Sequence, residues 1–197
     1  MNLGSSPRAS TNKKECEMIE RHIGDVLTRN GDWIQTYTGV CFYPLDPRPE
    51  DVRIEDIAHS LSMQCRFNGH CKWFYSVAEH SCNVSRMVPP EHALQGLMHD
   101  AAEAYLCDIP KPIKNDIPSY KIYEAKVEMA IAQKFDLRYP WNQEVKKADN
   151  RMLMEEAHAM MIDPSWADNL ENPVVDFTFM NPKDAKEWFL ERFNELN

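Results

Sequence analysis

The chain has 197 residues, 43% of them hydrophobic and 27% charged, an ordinary globular composition with room for one well-cored domain rather than two. Asp and Glu number 31 against 22 Lys and Arg, a formal net charge of −9, which argues against a general polynucleotide binder but leaves small anionic substrates open. No apolar run approaches the ~18 residues of a membrane span, the opening MNLGSSPRASTNKKE has no apolar signal core, and six scattered cysteines without a CxxC pair read as reduced thiols. The expected compartment is therefore the cytoplasm.

Residues 1–13 are polar and read as a loose tail. Over residues 14–29, Met18, Ile19, Ile23, Val26 and Leu27 recur at near-helical spacing, and Asn30-Gly31 is a stop signal. Residues 1–30 are thus expected to hold a tail and an extra helix, a candidate for self-association into a homo-oligomer. Segments 33–37 and 40–43, rich in aromatic and β-branched residues and joined by Thr38-Gly39, predict a short hairpin. Pro44, Pro47 and Pro49 stiffen the next connection, after which Asp51 can cap a helix running to about Cys65. Helical patterns follow at 76–88, 91–107, 118–135, 141–162 and 183–195, punctuated by Pro89-Pro90, Pro110, Pro112, Pro118 and Pro164. The expected fold is all-α, with residues 31–197 forming one helical domain that carries a small N-terminal β-hairpin.

The most informative segment is His99-Asp100-Ala101-Ala102-Glu103. On a continuous helix, Leu94, Leu97, Met98, Ala101 and Tyr105 form an apolar stripe, and His99, Asp100 and Glu103 gather on the other side. Taken alone, that polar side reads as a solvated face. Two neighbouring helices add to it. His80 falls on the stripe of Val77, Val84, Met87 and Val88; Asp149 falls within the stripe of Val145, Ala148, Met152 and Ala159, with Glu156 on the same side. An interior carboxylate is costly unless paired or bound to a cation. Pairing of Asp149 with a Lys or Arg, and of His80 with a backbone carbonyl, would satisfy the same pattern. Two imidazoles and two carboxylates would equally suit an open site for Mn, Fe, Co, Ni or Zn. No GxGxxG, GxxxxGK[ST] or GxSxG motif points to another chemistry.

The ordered series His80 … His99-Asp100 … Asp149 resembles that of the HD-domain metal-dependent phosphohydrolases. CRFNGH, HDAAEAYLCDIPKPIK and VKKADNR are similar to the small bacterial and phage branch of 5′-deoxynucleotidases and dATP triphosphohydrolases, over roughly residues 33–160. The resemblance implies an HD-domain helical bundle in which His80, His99, Asp100 and Asp149 hold a divalent metal (Co, Mn or Zn, with Mg a further candidate). It implies that Glu103 handles the attacking water and that Arg66 and Phe67 meet the substrate. Asp108 would lie near the sugar, and Lys111 and Lys114 near the phosphates. The implied reaction is hydrolysis of the 5′ phosphoester of a deoxynucleotide. An HD-type phosphodiesterase acting on a signalling nucleotide, or a non-catalytic metal-containing module, are the alternatives.

Overall fold

A computed structural model describes residues 28–167, 170 and 173–197; the expected tail at 1–13 and nearly all of the expected helix at 14–29 lie outside the described residues. Strands β1 (Ile34–Gln35) and β2 (Cys41–Phe42) pair antiparallel, Ile34 opposite Phe42 and Gln35 opposite Cys41. The Thr36 N–H donates to the Val40 carbonyl at 2.9 Å, and Gly39 supplies the left-handed residue (φ +86°) that the turn requires. The buried Asp56 carboxylate accepts from the Thr38 N–H at 2.6 Å and from its hydroxyl at 2.9 Å. The hairpin tip is thereby pinned to α1 (Ile54–Met63).

Asp51 does not cap α1. Pro49 starts a separate 3₁₀ turn, Pro49–Asp51, and the chain then runs extended through Val52 and Arg53 before the helix begins. The Asp51 carboxylate instead accepts from Arg29 Nη2 at 2.7 Å. The later helices follow the sequence pattern closely. They are α2 (Val77–Met87), α6 (Pro118–Lys134), α7 (Gln143–Met160) and α8 (Pro182–Leu196). Ser76, Asn142 and Asn181 cap α2, α7 and α8 by accepting the N–H of Glu79, Glu144 and Asp184.

The helix expected over 91–107 is broken. It comprises α3 (Ala93–Met98), a turn at 99–102, and α4 (Glu103–Leu106). In the turn the N–H groups of Ala101, Glu103 and Ala104 reach back three residues, to Met98, Asp100 and Ala101, which is 3₁₀ winding. The physical reason is local. His99 Nδ1 donates to the Gly96 carbonyl at 2.8 Å, the acceptor that a continuous α-helix would give to the Asp100 N–H. A further short helix, α5 (Lys111–Asn115), forms where the prolines suggested only punctuation. Pro112 sits in its first turn, where the missing N–H has no intrahelical partner to lose.

The main core joins Ile57 and Leu61 of α1, Val77 of α2, Leu97 of α3, Val127 of α6 and Phe189 of α8. A second cluster packs Val84 of α2 against Ala148 and Met152 of α7. Between α2 and α3 the approach is close: a Cβ at Gly96 would stand 3.0 Å from Ser85 Cα. Three elements carrying His80, His99 and Asp149 thus converge. The described residues are mostly helical with one small hairpin, and no helix among them is long and apolar enough to cross a membrane.

Candidate metal centre

His80, from the middle of α2, is fully buried, and His99, at the end of α3, nearly so. Their Nε2 atoms are 3.2 Å apart. Asp149 Oδ1, from α7, lies 3.3 Å from His80 Nε2 and 3.7 Å from His99 Nε2. Asp100 Oδ2 completes the group at 3.4 and 3.3 Å from the same nitrogens. The other ring nitrogens settle what this cluster offers. His80 Nδ1 meets Glu156 Oε1 at 2.6 Å and His99 Nδ1 meets the Gly96 carbonyl; both partners only accept, so each Nδ1 carries the hydrogen. Each neutral ring therefore presents an Nε2 lone pair to the other lone pair and to two carboxylates. Acceptors so close repel unless a cation lies among them, either a proton on an imidazole or a metal ion. Atoms of His80, His99 and Asp149 lying within 4.8 Å of one another can hold such an ion, and N/O donors of this kind suit a divalent transition metal.

The same crowding sets the electrostatics of the cluster. Burial and Arg66 act to lower the His80 pKa, but Glu156 and Asp149 outweigh them and raise it. Burial likewise lowers His99, yet Asp100 and Asp149 hold it well above its ordinary value. Burial works against the charge on Asp100, but His99 and His80 bring it down to about 2. The Asp149 side chain is 40% exposed, so its carboxylate forms the solvent side of an otherwise enclosed cluster rather than lying deep in the apolar stripe.

Glu103 is buried, against the plain reading of its helix face as solvated. Its Oε2 is buried with no hydrogen-bond partner. Burial, then Asp100 and Asp108, hold its carboxyl well above the usual carboxylate range. Lys114 Nζ stands 3.6 Å from Glu103 Oε1 and also pairs with Glu124. Arg66 donates through Nε (3.1 Å) and Nη2 (2.9 Å) to Glu156 Oε2, leaving Nη1 at 3.7 Å from Asp100 Oδ2. Phe67 lies under the Arg66 guanidinium, with 5.6 Å from Cζ to the ring centroid. The Asp108 N–H donates to Gln64 Oε1, and its carboxyl is raised by burial against the pull of Arg66. Lys111 is exposed at the first position of α5. A cavity of 610 Å³ between the hairpin, α1 and α4 is lined by Tyr37, His59, Ser60, Gln64, Glu103 and Cys107, but by none of His80, His99 and Asp149.

Glu156 is the group to which sequence reasoning assigned no role. It is fully buried, orients His80 and restrains Arg66 together. Its signal was present: a carboxylate two turns beyond Asp149 on an apolar face needs a cationic or N–H partner.

No family model matches the chain. It is 41% identical over 170 residues to "Uncharacterized protein YfdR" of Escherichia coli (strain K12), an alignment covering 84% of this chain and 96% of that protein. It is also 35% identical over 115 residues to "Uncharacterized protein RCAP_rcc00048" of Rhodobacter capsulatus, covering 53% of this chain and 59% of that one.

Proposed function

The chain belongs to the family of Escherichia coli YfdR, and from its site we propose that it is a metal-dependent hydrolase of the 5′ phosphoester of deoxynucleotides. A monophosphate would give nucleoside and phosphate; a triphosphate such as dATP would give nucleoside and triphosphate. The observation that carries the reading is the convergence of the His80 and His99 Nε2 atoms and the Asp149 carboxylate within 4.8 Å, with Asp100 beside them. The choice of substrate rests on the similarity of CRFNGH, HDAAE, DIPKPIK and KADNR to the nucleotidase branch of the HD-domain enzymes.

A divalent ion held there (Mn, Co or Zn before Mg) would neutralise a phosphoryl oxygen and acidify a bound water toward a pKa of about 7 in favourable cases. The remaining work falls to side chains. Glu103 Oε2, buried and without a partner, can accept the water's proton, and burial together with Asp100 and Asp108 gives it a higher proton affinity than an ordinary carboxylate. Arg66 Nη1 faces the cluster and can meet a phosphate oxygen, while Glu156 holds the rest of the guanidinium in place. Lys114, set between Glu103 and Glu124, balances the acidic side of the site. The cavity lined by Glu103 has the volume of a small-molecule site. On this reading the enzyme works in the cytoplasm, as a homo-oligomer, on monomeric nucleotides.

The test is a product-resolved assay of dAMP, dGMP, dATP and dGTP with Mn²⁺, Co²⁺ and Zn²⁺. Nucleoside should appear from at least one substrate, and Glu103→Gln should lower turnover by about 10²–10⁴-fold while metal stays bound. Metal binding with no nucleoside freed across the panel would count against this reading and favour the phosphodiesterase or the non-catalytic metal module.

A further inference from the structure

We propose that Cys65 and Cys71 form a redox-modifiable dithiol site, which closes to an intramolecular disulfide under a low-molecular-weight disulfide or a peroxide and reopens under a thiol reductant. Their Sγ atoms lie 3.6 Å apart, and both residues are partly exposed. The backbone brings them together. Phe67, Asn68 and Gly69 are three successive left-handed residues (φ 54°, 53° and 76°), and they turn the chain sharply between the two cysteines. Cys65 is fixed on one side by a bridge to Ser76, with the Arg66 N–H donating to the Tyr75 carbonyl at 2.9 Å. On the other side the Cys71 thiol donates to the Trp73 carbonyl at 2.9 Å, and the Lys72 N–H donates to the Met160 carbonyl at 2.9 Å. Both ends of the turn are anchored, so the sulfurs stay close without a bond between them.

A metal role for the pair lacks ligands. Thiolate zinc sites use three or four protein donors, and among the described residues the grouping of three or more potential ligands is that of His80, His99 and Asp149. Thiol–disulfide chemistry needs only the two sulfurs. One thiolate attacks a sulfur of glutathione disulfide and expels one glutathione thiolate. The second thiolate then attacks the protein sulfur of the mixed disulfide and expels the other glutathione. The protein loses two hydrogens and the reagent gains them as two glutathione thiols. With hydrogen peroxide, one thiolate becomes a sulfenic acid and the second thiol displaces its oxygen, so two waters form. Burial, then the neighbouring Cys65, pushes Cys71 up to about 11, so the small thiolate fraction paces the reaction at neutral pH. The closed ring would enclose Arg66 and Phe67 and so stiffen the turn that delivers Arg66 to Glu156 and Asp100. Any effect on turnover rests on the function proposed above; the disulfide itself does not.

The experiment treats reduced, desalted full-length protein with glutathione disulfide, and separately with hydrogen peroxide, for several hours. Thiols are then counted after denaturation, and peptides are mapped without reduction. The expected result is loss of two of the six thiols, a Cys65–Cys71 linkage, a mass lower by about 2 Da, and full reversal by dithiothreitol. Cys71→Ser should abolish the linkage. Retention of all six thiols, a glutathione adduct that persists on either cysteine, or the same loss of two thiols in Cys71→Ser would overturn the proposal. Because none of these readouts depends on nucleotide hydrolysis, an inactive protein with the linkage would count against the enzymatic reading alone.

Discussion

Replacing Glu156 by Ala removes the acceptor of three charge-assisted bonds, from Arg66 Nε at 3.1 Å, Arg66 Nη2 at 2.9 Å and His80 Nδ1 at 2.6 Å. Glu156 and the His80 side chain are fully buried, and the Arg66 side chain is only 12% exposed, so water cannot readily replace the lost acceptor. Breaking a buried pair from one side costs about 3–5 kcal/mol because a charge is left uncompensated. The change also frees the His80 tautomer, and loss of such a partner weakens metal binding by about 10–100-fold. The assay is paired: urea denaturation for stability, and calorimetric titration of chelator-stripped protein with Mn²⁺ or Co²⁺ for affinity. Glu156→Gln separates the two effects. Its amide oxygen can still accept the His80 Nδ1–H, whereas its charge is gone from Arg66. Gln should therefore recover most of the metal affinity and only part of the stability. If Glu156→Ala folds and binds metal within a factor of two of the wild type, Glu156 does not orient His80 and the reasoning fails.

Three other predictions are independent of that one. Gly96→Ala should lower stability by about 1–3 kcal/mol through overpacking, and should weaken metal binding as α3 and His99 shift, because the new Cβ would meet Ser85 Cα at 3.0 Å; denaturation and metal titration check both. In chelator-stripped protein, His80 and His99 have raised folded-state pKa values, so their stabilising contribution is fully present below the ordinary 6.5 and is lost as pH rises through the raised values. Tm in excess chelator should thus fall as pH rises above 6.5, a decline that added Mn²⁺ reduces, and a flat profile without metal counts against the imidazole–carboxylate cluster. Asp56→Ala strips the hairpin tip of its acceptor and should cost about 1.5–3 kcal/mol, read by urea denaturation.

How much of this was legible in the sequence depends on whether a feature is local. The apolar stripes of α2 and α7 are written in consecutive residues, and those helices fall close to their predicted limits. The break after Met98 was hidden because 3₁₀ winding keeps nearly the same residues on each face, so the periodicity of 91–107 still reads as one helix. What breaks it is a single side-chain bond from His99 to the Gly96 carbonyl, which no pattern of hydrophobicity encodes. His80 and Asp149 could be picked out because a polar residue on an apolar face is conspicuous. Their partners could not, since Glu156 lies 90 positions from Arg66 and 76 from His80 and the pairs exist only after packing. Lys114 makes the same point: the resemblance of DIPKPIK implied a place near the substrate's phosphates, and the fold sets its ammonium between Glu103 and Glu124.

The central claim is that His80, His99 and Asp149 form one metal centre. Calorimetric titration of chelator-stripped protein with Co²⁺ tests it most directly, run beside His99→Ala and Asp149→Ala variants whose folding is verified by circular dichroism. The account predicts one ion per chain in the wild type and loss of that binding in both variants. No binding by the wild type, or undiminished binding by the folded variants, would contradict it.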